Sequence, residues 1–156
     1  MRRREFIAIL AGTAACPVAG RAQQAERVPR IGVLMASGDN NPQYQNYVAV
    51  FRDAFQKIGW TEGRNIQIDY RWSAFDAKLM ERFSKELLML KPNVILSNNT
   101  PTTAALLQQT RTIPIVFATV ADPVGSGFVA GLSQPGGNAT GFITAEASLG
   151  GKWVEL

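Results

Sequence analysis

The stretch VILSNNTPTT, residues 94–103, joins a short apolar run to the start of a helix. Its apolar part, residues 94–97, is typical of a strand that is buried on both faces. Thr100 is the predicted N-cap of the helix, and Pro101 takes the first helical position, where an N–H group would have no partner within the helix. Because a buried strand that runs directly into a helix is the unit of a parallel sheet, this stretch predicts an α/β fold.

The same alternation continues on both sides of this stretch. Four further runs are predicted as strands, at residues 30–35, 65–72, 113–118 and 139–143. Apolar residues recur at helical spacing over 44–58 and 79–90, and a short helix is predicted at 126–132. Apolar strands that alternate with helices predict a doubly wound parallel sheet with helices on both faces.

The first 22 residues have the pattern of an export signal. Three arginines at positions 2–4 precede an uncharged stretch over 7–20, which is too short to span about 30 Å of hydrocarbon comfortably. The small residues Gly20 and Ala22 provide a cleavage site. We therefore expect residues 1–22 to be a signal peptide and the mature protein to be periplasmic. The paired arginines leave both the Sec and the twin-arginine routes open.

Cys16 is the only cysteine and lies inside this leader. Small residues precede it, but the leucine of a lipoprotein box is missing. A lipid anchor at Cys16 therefore stays open as an alternative to its removal with the signal peptide.

Charge and residue types exclude several classes of function. Residues 1–22 contain four of the sixteen basic residues and one of the twelve acidic residues, so the remainder carries a net charge of +1 instead of +4. This balance gives no reason to expect a nucleic-acid partner. The absence of histidine excludes Ser-His-Asp and Cys-His catalysis. The chain also lacks a Walker A motif, a G-x-S-x-G motif and metal-ligand spacing of acids. We therefore expect no enzyme, no cofactor and no metal.

Ligands of open parallel sheets bind outside the carboxyl ends of the strands. Three short polar loops are predicted to reach that edge: residues 37–41, 98–100 and 119–122. In the second loop, the Thr100 hydroxyl and the amides of Thr102 and Thr103 could hold a ligand carboxylate at a helix N-terminus. An ordinary capped helix explains the same residues.

Other candidates at this edge also have two interpretations. Asp122 could pair with a ligand ammonium, or it could cap the turn that follows it. Asp39 could contact the ligand or be a solvated turn residue. Tyr44 and Trp72 could stack on a ligand or belong to the core.

Several motifs in this order resemble ABC-transporter substrate-binding proteins of the tryptophan/tyrosine type. They are the leader that ends in RAQQ, the segment NNTP at 98–101, ADPVGSG at 121–127 and PGGNATG at 135–141. The resemblance implies a type I periplasmic-binding fold, in which two lobes joined by a hinge close on a ligand. It also implies ligand contacts on the three loops. The resulting candidate ligand-binding residues are Ser37, Asn98, Asn99, Thr100, Thr102, Thr119 and Asp122.

The resemblance further implies how the chain is organised. Residues 23–151 would form the N-terminal lobe, and residues 152–156 would begin a helix toward a second lobe, as expected for a fragment of a longer protein. The implied function is that of an exported binding component that delivers a small polar molecule, such as an amino acid, to an ABC permease. Two alternatives are an exported α/β enzyme without a recognisable catalytic motif and a sugar-repressor type of regulator.

Overall fold

The computed structural model describes residues 28–143. The predicted signal peptide, Cys16 and the helix start at 152–156 lie outside the described residues. The elements, in chain order, are β1 (Arg30–Met35), α1 (Pro42–Lys57), β2 (Gln67–Trp72), α2 (Ala77–Met89), β3 (Val94–Asn98), α3 (Thr100–Gln109), β4 (Ile115–Val120) and β5 (Ala139–Ile143).

The five strands form one parallel sheet in the order β2-β1-β3-β4-β5. The side chains of α2 pack against one face of the sheet, where Leu87 meets Ile95 and Phe117 in a buried cluster. The α1 side chains Val48 and Phe51 belong to a second cluster, which covers the opposite face of β1 and β2. The prediction of a doubly wound sheet with helices on both faces is therefore confirmed.

The alternation of burial along the strands explains this division. In β1, Leu34 points into the α2 side, whereas Val33 and Met35 point toward α1. Successive side chains of a strand leave the sheet on opposite faces, so a strand with helices on both sides must be apolar throughout. Residues 31–35 are all buried, as this position requires.

Two predicted elements are corrected by the structure. No helix forms at residues 126–132, because this part of the chain folds as consecutive turns, in which the Gly127 N–H donates to Val124 O and the Phe128 N–H to Pro123 O. Gly127 has a positive φ of 70°, which interrupts helical geometry. The fourth strand begins at Ile115 instead of residue 113, since Pro114 has no N–H to donate to a strand ladder.

Within residues 28–143, no helix combines the length and the apolar character that crossing a membrane would need.

Candidate functional site

The order of the strands places a crevice between β1 and β3. From β1 the chain crosses to β2 by way of α1 on one face, and from β3 it crosses to β4 by way of α3 on the other. The loops at the carboxyl ends of β1 and β3 therefore separate, and the space between them is where open α/β sheets bind ligands. The first two predicted loops lie on the two sides of this crevice.

Ser37 follows β1 and is buried, with 2% of its surface exposed. Its carbonyl oxygen accepts a hydrogen bond of 3.2 Å from the Ala74 N–H in the loop after β2. In that loop the buried Ser73 hydroxyl donates to Met35 O at 2.8 Å. The loop after β2 is thus fastened to the end of β1 and forms part of the same edge.

Asn99 caps α3, and the prediction that Thr100 is the N-cap is wrong. Asn99 has a positive φ of 87°, and its side-chain oxygen accepts from the Thr102 N–H at 3.3 Å. Its ψ is 172°, so the backbone of Asn99 lies in a region that residues other than glycine rarely adopt. Thr100 is accordingly the first residue of the helix.

The amides proposed to hold a ligand carboxylate already have partners. The Thr102 N–H donates to the Asn99 side chain, and the Thr103 N–H donates to the Asn99 carbonyl at 3.2 Å. The Thr102 hydroxyl donates to Asn98 O at 2.7 Å and also lies 2.9 Å from the Ser97 hydroxyl. Thr102 is fully buried, so its hydroxyl joins α3 to the end of β3.

Asn98 and Thr119 connect the second and third loops. The Asn98 side-chain N–H donates to the Thr119 hydroxyl at 3.0 Å, which bridges the ends of β3 and β4. Thr119 has a φ of 57°, at a shift in the register between β4 and β5. Such a bulge turns a side chain away from its regular direction and is common beside binding sites.

The Asn98 side-chain oxygen is buried and has no hydrogen-bond partner among the described residues. Asn98 itself is only 6% exposed. A buried polar atom without a partner destabilises the fold unless something else supplies the hydrogen bond. Within residues 28–143, this acceptor is a buried polar group at the crevice that the fold itself leaves without a hydrogen bond.

Asp122 caps the turn that follows it, which is one of its two predicted roles. Its carboxylate accepts a hydrogen bond of 2.8 Å from the Gly125 N–H, and the residue is exposed. One carboxylate can accept several hydrogen bonds, so this role does not prevent contact with a ligand.

Aromatic side chains lie where the loop after β2 meets α1. The ring of Phe75 packs edge-on against Tyr44, with centroids 6.0 Å apart, and Tyr44 packs against Tyr47 at 5.6 Å. Tyr44 and Trp72 both border the α1 core cluster, whereas Phe75 is 60% exposed. Sequence reasoning missed Phe75, because no local pattern indicates that this phenylalanine has a positive φ.

Two further predictions concern acidic residues: Asp39 at this edge and the expected absence of a metal site. Asp39 is exposed, and its carbonyl oxygen accepts from the Gln45 side chain at 2.5 Å. Within residues 28–143, no three acidic, cysteine or histidine residues come together in a way that could hold a metal ion.

Comparison with known families gives a match over most of the chain. The model of the family described as ABC transporter substrate binding protein matches residues 34–156. This segment begins in β1 and includes every loop of the crevice.

Individual relatives agree with this match. A tyrosine-binding protein of Clostridioides difficile (strain R20291) is 33% identical over 91 residues, which are 58% of this chain and 26% of that protein. A solved ABC domain from Streptococcus pneumonia, in complex with L-Trp, is 26% identical with a TM-score of 0.69, over 75% of this chain and 39% of that one.

A third relative is a substrate binding protein with adhesive properties from Clostridium difficile, solved in a ligand-free, open structure. It is 27% identical with a TM-score of 0.71, over 82% of this chain and 43% of that one. The chain thus spans about a quarter of the curated relative and about two fifths of the two solved ones. The chain belongs to the ABC transporter substrate binding protein family, and residues 28–143 have the fold of one lobe of a type I periplasmic binding protein.

Proposed function

We propose that this chain is the first lobe of an exported, two-lobed binding protein that delivers a small polar molecule to an ABC permease. The observation that carries the proposal is the Asn98 side-chain oxygen, a buried acceptor without a partner at the crevice between β1 and β3. Membership of a substrate-binding family supports a ligand as the missing partner.

The proposed mechanism is a hinge closure. The first lobe contributes polar groups from three loops, and a second lobe covers the ligand from the opposite side. In this proposal Asn98 accepts a hydrogen bond from the ligand, and Thr119 holds the Asn98 amide in orientation at 3.0 Å. The loop conformation is maintained by residues that do not touch the ligand themselves, namely Ser37, Asn99 and Thr102.

The two exposed candidates have different proposed roles. The Asp122 carboxylate lies in an exposed turn and pairs with a ligand ammonium, and the Thr100 hydroxyl contacts the polar part of the ligand. Because Gly125 already orients the Asp122 carboxylate, little side-chain freedom is lost when a ligand binds.

Amino acids with aromatic side chains are the first ligands to test. The names of two relatives, a tyrosine-binding protein and a domain in complex with L-Trp, motivate this choice. Residues 1–22 are proposed to direct export to the periplasm, with Cys16 as the alternative site of a lipid anchor.

A thermal-shift screen of the complete protein that contains this chain tests the proposal. The probes are L-tyrosine, L-tryptophan, the other amino acids, purines and sugars. A ligand that binds only the folded state increases the free energy of unfolding by about 2.7 kcal/mol at a hundred times its Kd, and the Tm rises accordingly. Asp122→Asn keeps the turn's acceptor but loses the charge, so it should reduce the shift given by amino acids. A well-folded protein that responds to none of these probes would contradict the proposal.

A further inference from the structure

The loop after β2 contains two consecutive residues with positive φ, and neither is glycine. Ala74 has a φ of 48° and Phe75 a φ of 58°. A bulky residue in this region is a genuine outlier, because its Cβ crowds the backbone. Strained conformations of this kind persist only where the surroundings hold them, and they cluster at ligand-binding and switch sites.

Hydrogen bonds to the end of β1 hold this strained conformation. The Phe75 N–H donates to Ala36 O at 2.5 Å, and the Ala74 N–H donates to Ser37 O at 3.2 Å. The single proton of the Ser73 hydroxyl is shared between Met35 O at 2.8 Å and Ala36 O at 3.1 Å. The backbone of Phe75 is thereby fixed directly beside the β1 side of the crevice.

The side chain at this strained position stabilises the fold little. The ring of Phe75 is 60% exposed, and its aromatic contact is with the edge of Tyr44 at 6.0 Å. A phenylalanine needed for packing would be buried, and a residue needed only for the turn would be glycine or asparagine. The structure thus uses a strained backbone to present an exposed aromatic ring at the rim of the site.

We propose that Phe75 is a ligand-contacting residue that stacks on the flat, apolar part of the bound molecule, with Tyr44 supporting the ring from behind. This inference rests on the proposed function and assigns a specificity-determining contact to a loop that the sequence motifs do not include. Aromatic rings stack on other flat groups with offset or edge-on geometry, and a ring that is fixed beforehand loses little freedom on binding.

The strain makes a sharp test possible. Phe75→Gly removes both the ring and the steric cost of a positive φ, so it should raise the Tm by about 2–4 °C while it weakens ligand binding about tenfold. A residue that served only stability would give the opposite sign in the Tm. Binding is measured by titration calorimetry with L-tryptophan and L-tyrosine on the complete protein.

Lys91→Gly is the matched control. Lys91 also has a positive φ, of 50°, is exposed, and follows α2 near the amino end of β3, away from the crevice. Its replacement by glycine should raise the Tm by a similar amount and leave ligand binding unchanged. Phe75→Trp keeps an aromatic ring and should retain binding within about threefold, since both rings can stack.

The outcomes separate this inference from the proposed function. If the wild-type protein binds a probe and Phe75→Gly binds it equally well, the assignment of Phe75 is overturned while the proposed function stands. If the wild type binds neither amino acid, the stacking role of Phe75 is overturned, whereas binding of another probe in the thermal-shift screen would leave the proposed function standing. A Tm of Phe75→Gly below that of the wild type would show a structural residue and overturn the inference.

Discussion

At the scale of single residues, neighbouring threonines at the start of α3 have different tasks. Thr102 is fully buried, and its hydroxyl donates to Asn98 O at 2.7 Å. Thr100 is half-buried in the first helical position. Thr102 therefore holds the helix to the sheet, whereas Thr100 is the residue proposed to contact a ligand.

We expect Thr102→Val and Thr100→Ala to separate stability from binding. Thr102→Val leaves the Asn98 carbonyl without this donor and should lower the free energy of unfolding by about 1–2 kcal/mol. Thr100→Ala should change the free energy of unfolding by less than about 0.5 kcal/mol, because the position is partly exposed. The same variant should weaken the binding of the amino acid identified in the screen. Urea unfolding and calorimetry measure the two quantities. Wild-type affinity in Thr100→Ala would remove Thr100 from the site.

A charged cluster joins the end of β2 to α2. Glu86 accepts from Arg71 at 3.0 Å and from Arg82 at 2.8 Å. The hydrogen bond from Arg71, followed by that from Arg82, lowers the pKa of the Glu86 carboxyl below its ordinary value of 4.5. The ionised form is therefore favoured in the folded protein.

This cluster should make stability depend on pH in the acid range. Because the folded protein has the lower pKa, the contribution of Glu86 is complete above pH 4.5 and is lost as the pH falls through the folded value. Glu86→Gln cannot lose a charge, so the stability difference between wild type and variant should shrink between pH 6 and about pH 3. Urea unfolding across this range measures it. A difference that stays constant with pH would contradict the assignment.

At the scale of elements, β5 depends on a close approach to β4. Gly141 pairs with Phe117, and a Cβ at Gly141 would overlap the Phe117 carbonyl oxygen. Backbone atoms cannot move aside as flexible side chains do. Glycine is therefore required at position 141 because the backbone of Phe117 leaves no room for a Cβ atom, whatever the φ of the residue.

Gly141→Ala should lower the free energy of unfolding by at least ~2 kcal/mol, because β5 must shift away from β4. Gly137→Ala is the control, since nothing lies within 4 Å of a Cβ built there. That variant should stay within about 0.5 kcal/mol of the wild type. Equal stability of the two variants would show that β5 tolerates displacement.

At the scale of the whole molecule, the described lobe forms one wall of the proposed cleft. The carboxyl edge of its sheet carries the candidate residues, and a second lobe would have to cover a ligand bound there. Closure would bury ligand groups that the first lobe leaves in water.

Two measurements test this view of the complete protein. X-ray scattering should give a smaller radius of gyration with the ligand identified in the screen than without it. A protein limited to residues 28–143 should bind the same ligand at least about a hundredfold more weakly, equivalent to ~2.7 kcal/mol of lost contacts. Equal affinity would mean that the first lobe holds the ligand without a partner lobe.

The sequence by itself determined the three helices and five strands of residues 28–143 and their layering, although the short helix predicted at 126–132 does not form. The apolar run at 94–97 and the helical stripe over 44–58 are local patterns. Both predict the observed elements, because the faces that a strand or helix buries determine the spacing of its apolar residues. The polar loops that follow β1 and β3 were placed correctly at the carboxyl edge, since parallel strands bring their ends together. The family motifs at 121–127 and 135–141 lie in segments too irregular for periodicity to describe.

Only the tertiary structure decided which residue caps α3 and where Phe75 points. Asn99 has its positive φ because its N–H donates to Ala118 O at 2.9 Å, on a strand that follows it in the chain. Phe75 is held by Ala36, which precedes it by a whole helix and strand. Local propensity does not capture hydrogen bonds between residues so far apart in the sequence. The backbone strain that these bonds impose therefore becomes visible only when the chain is folded.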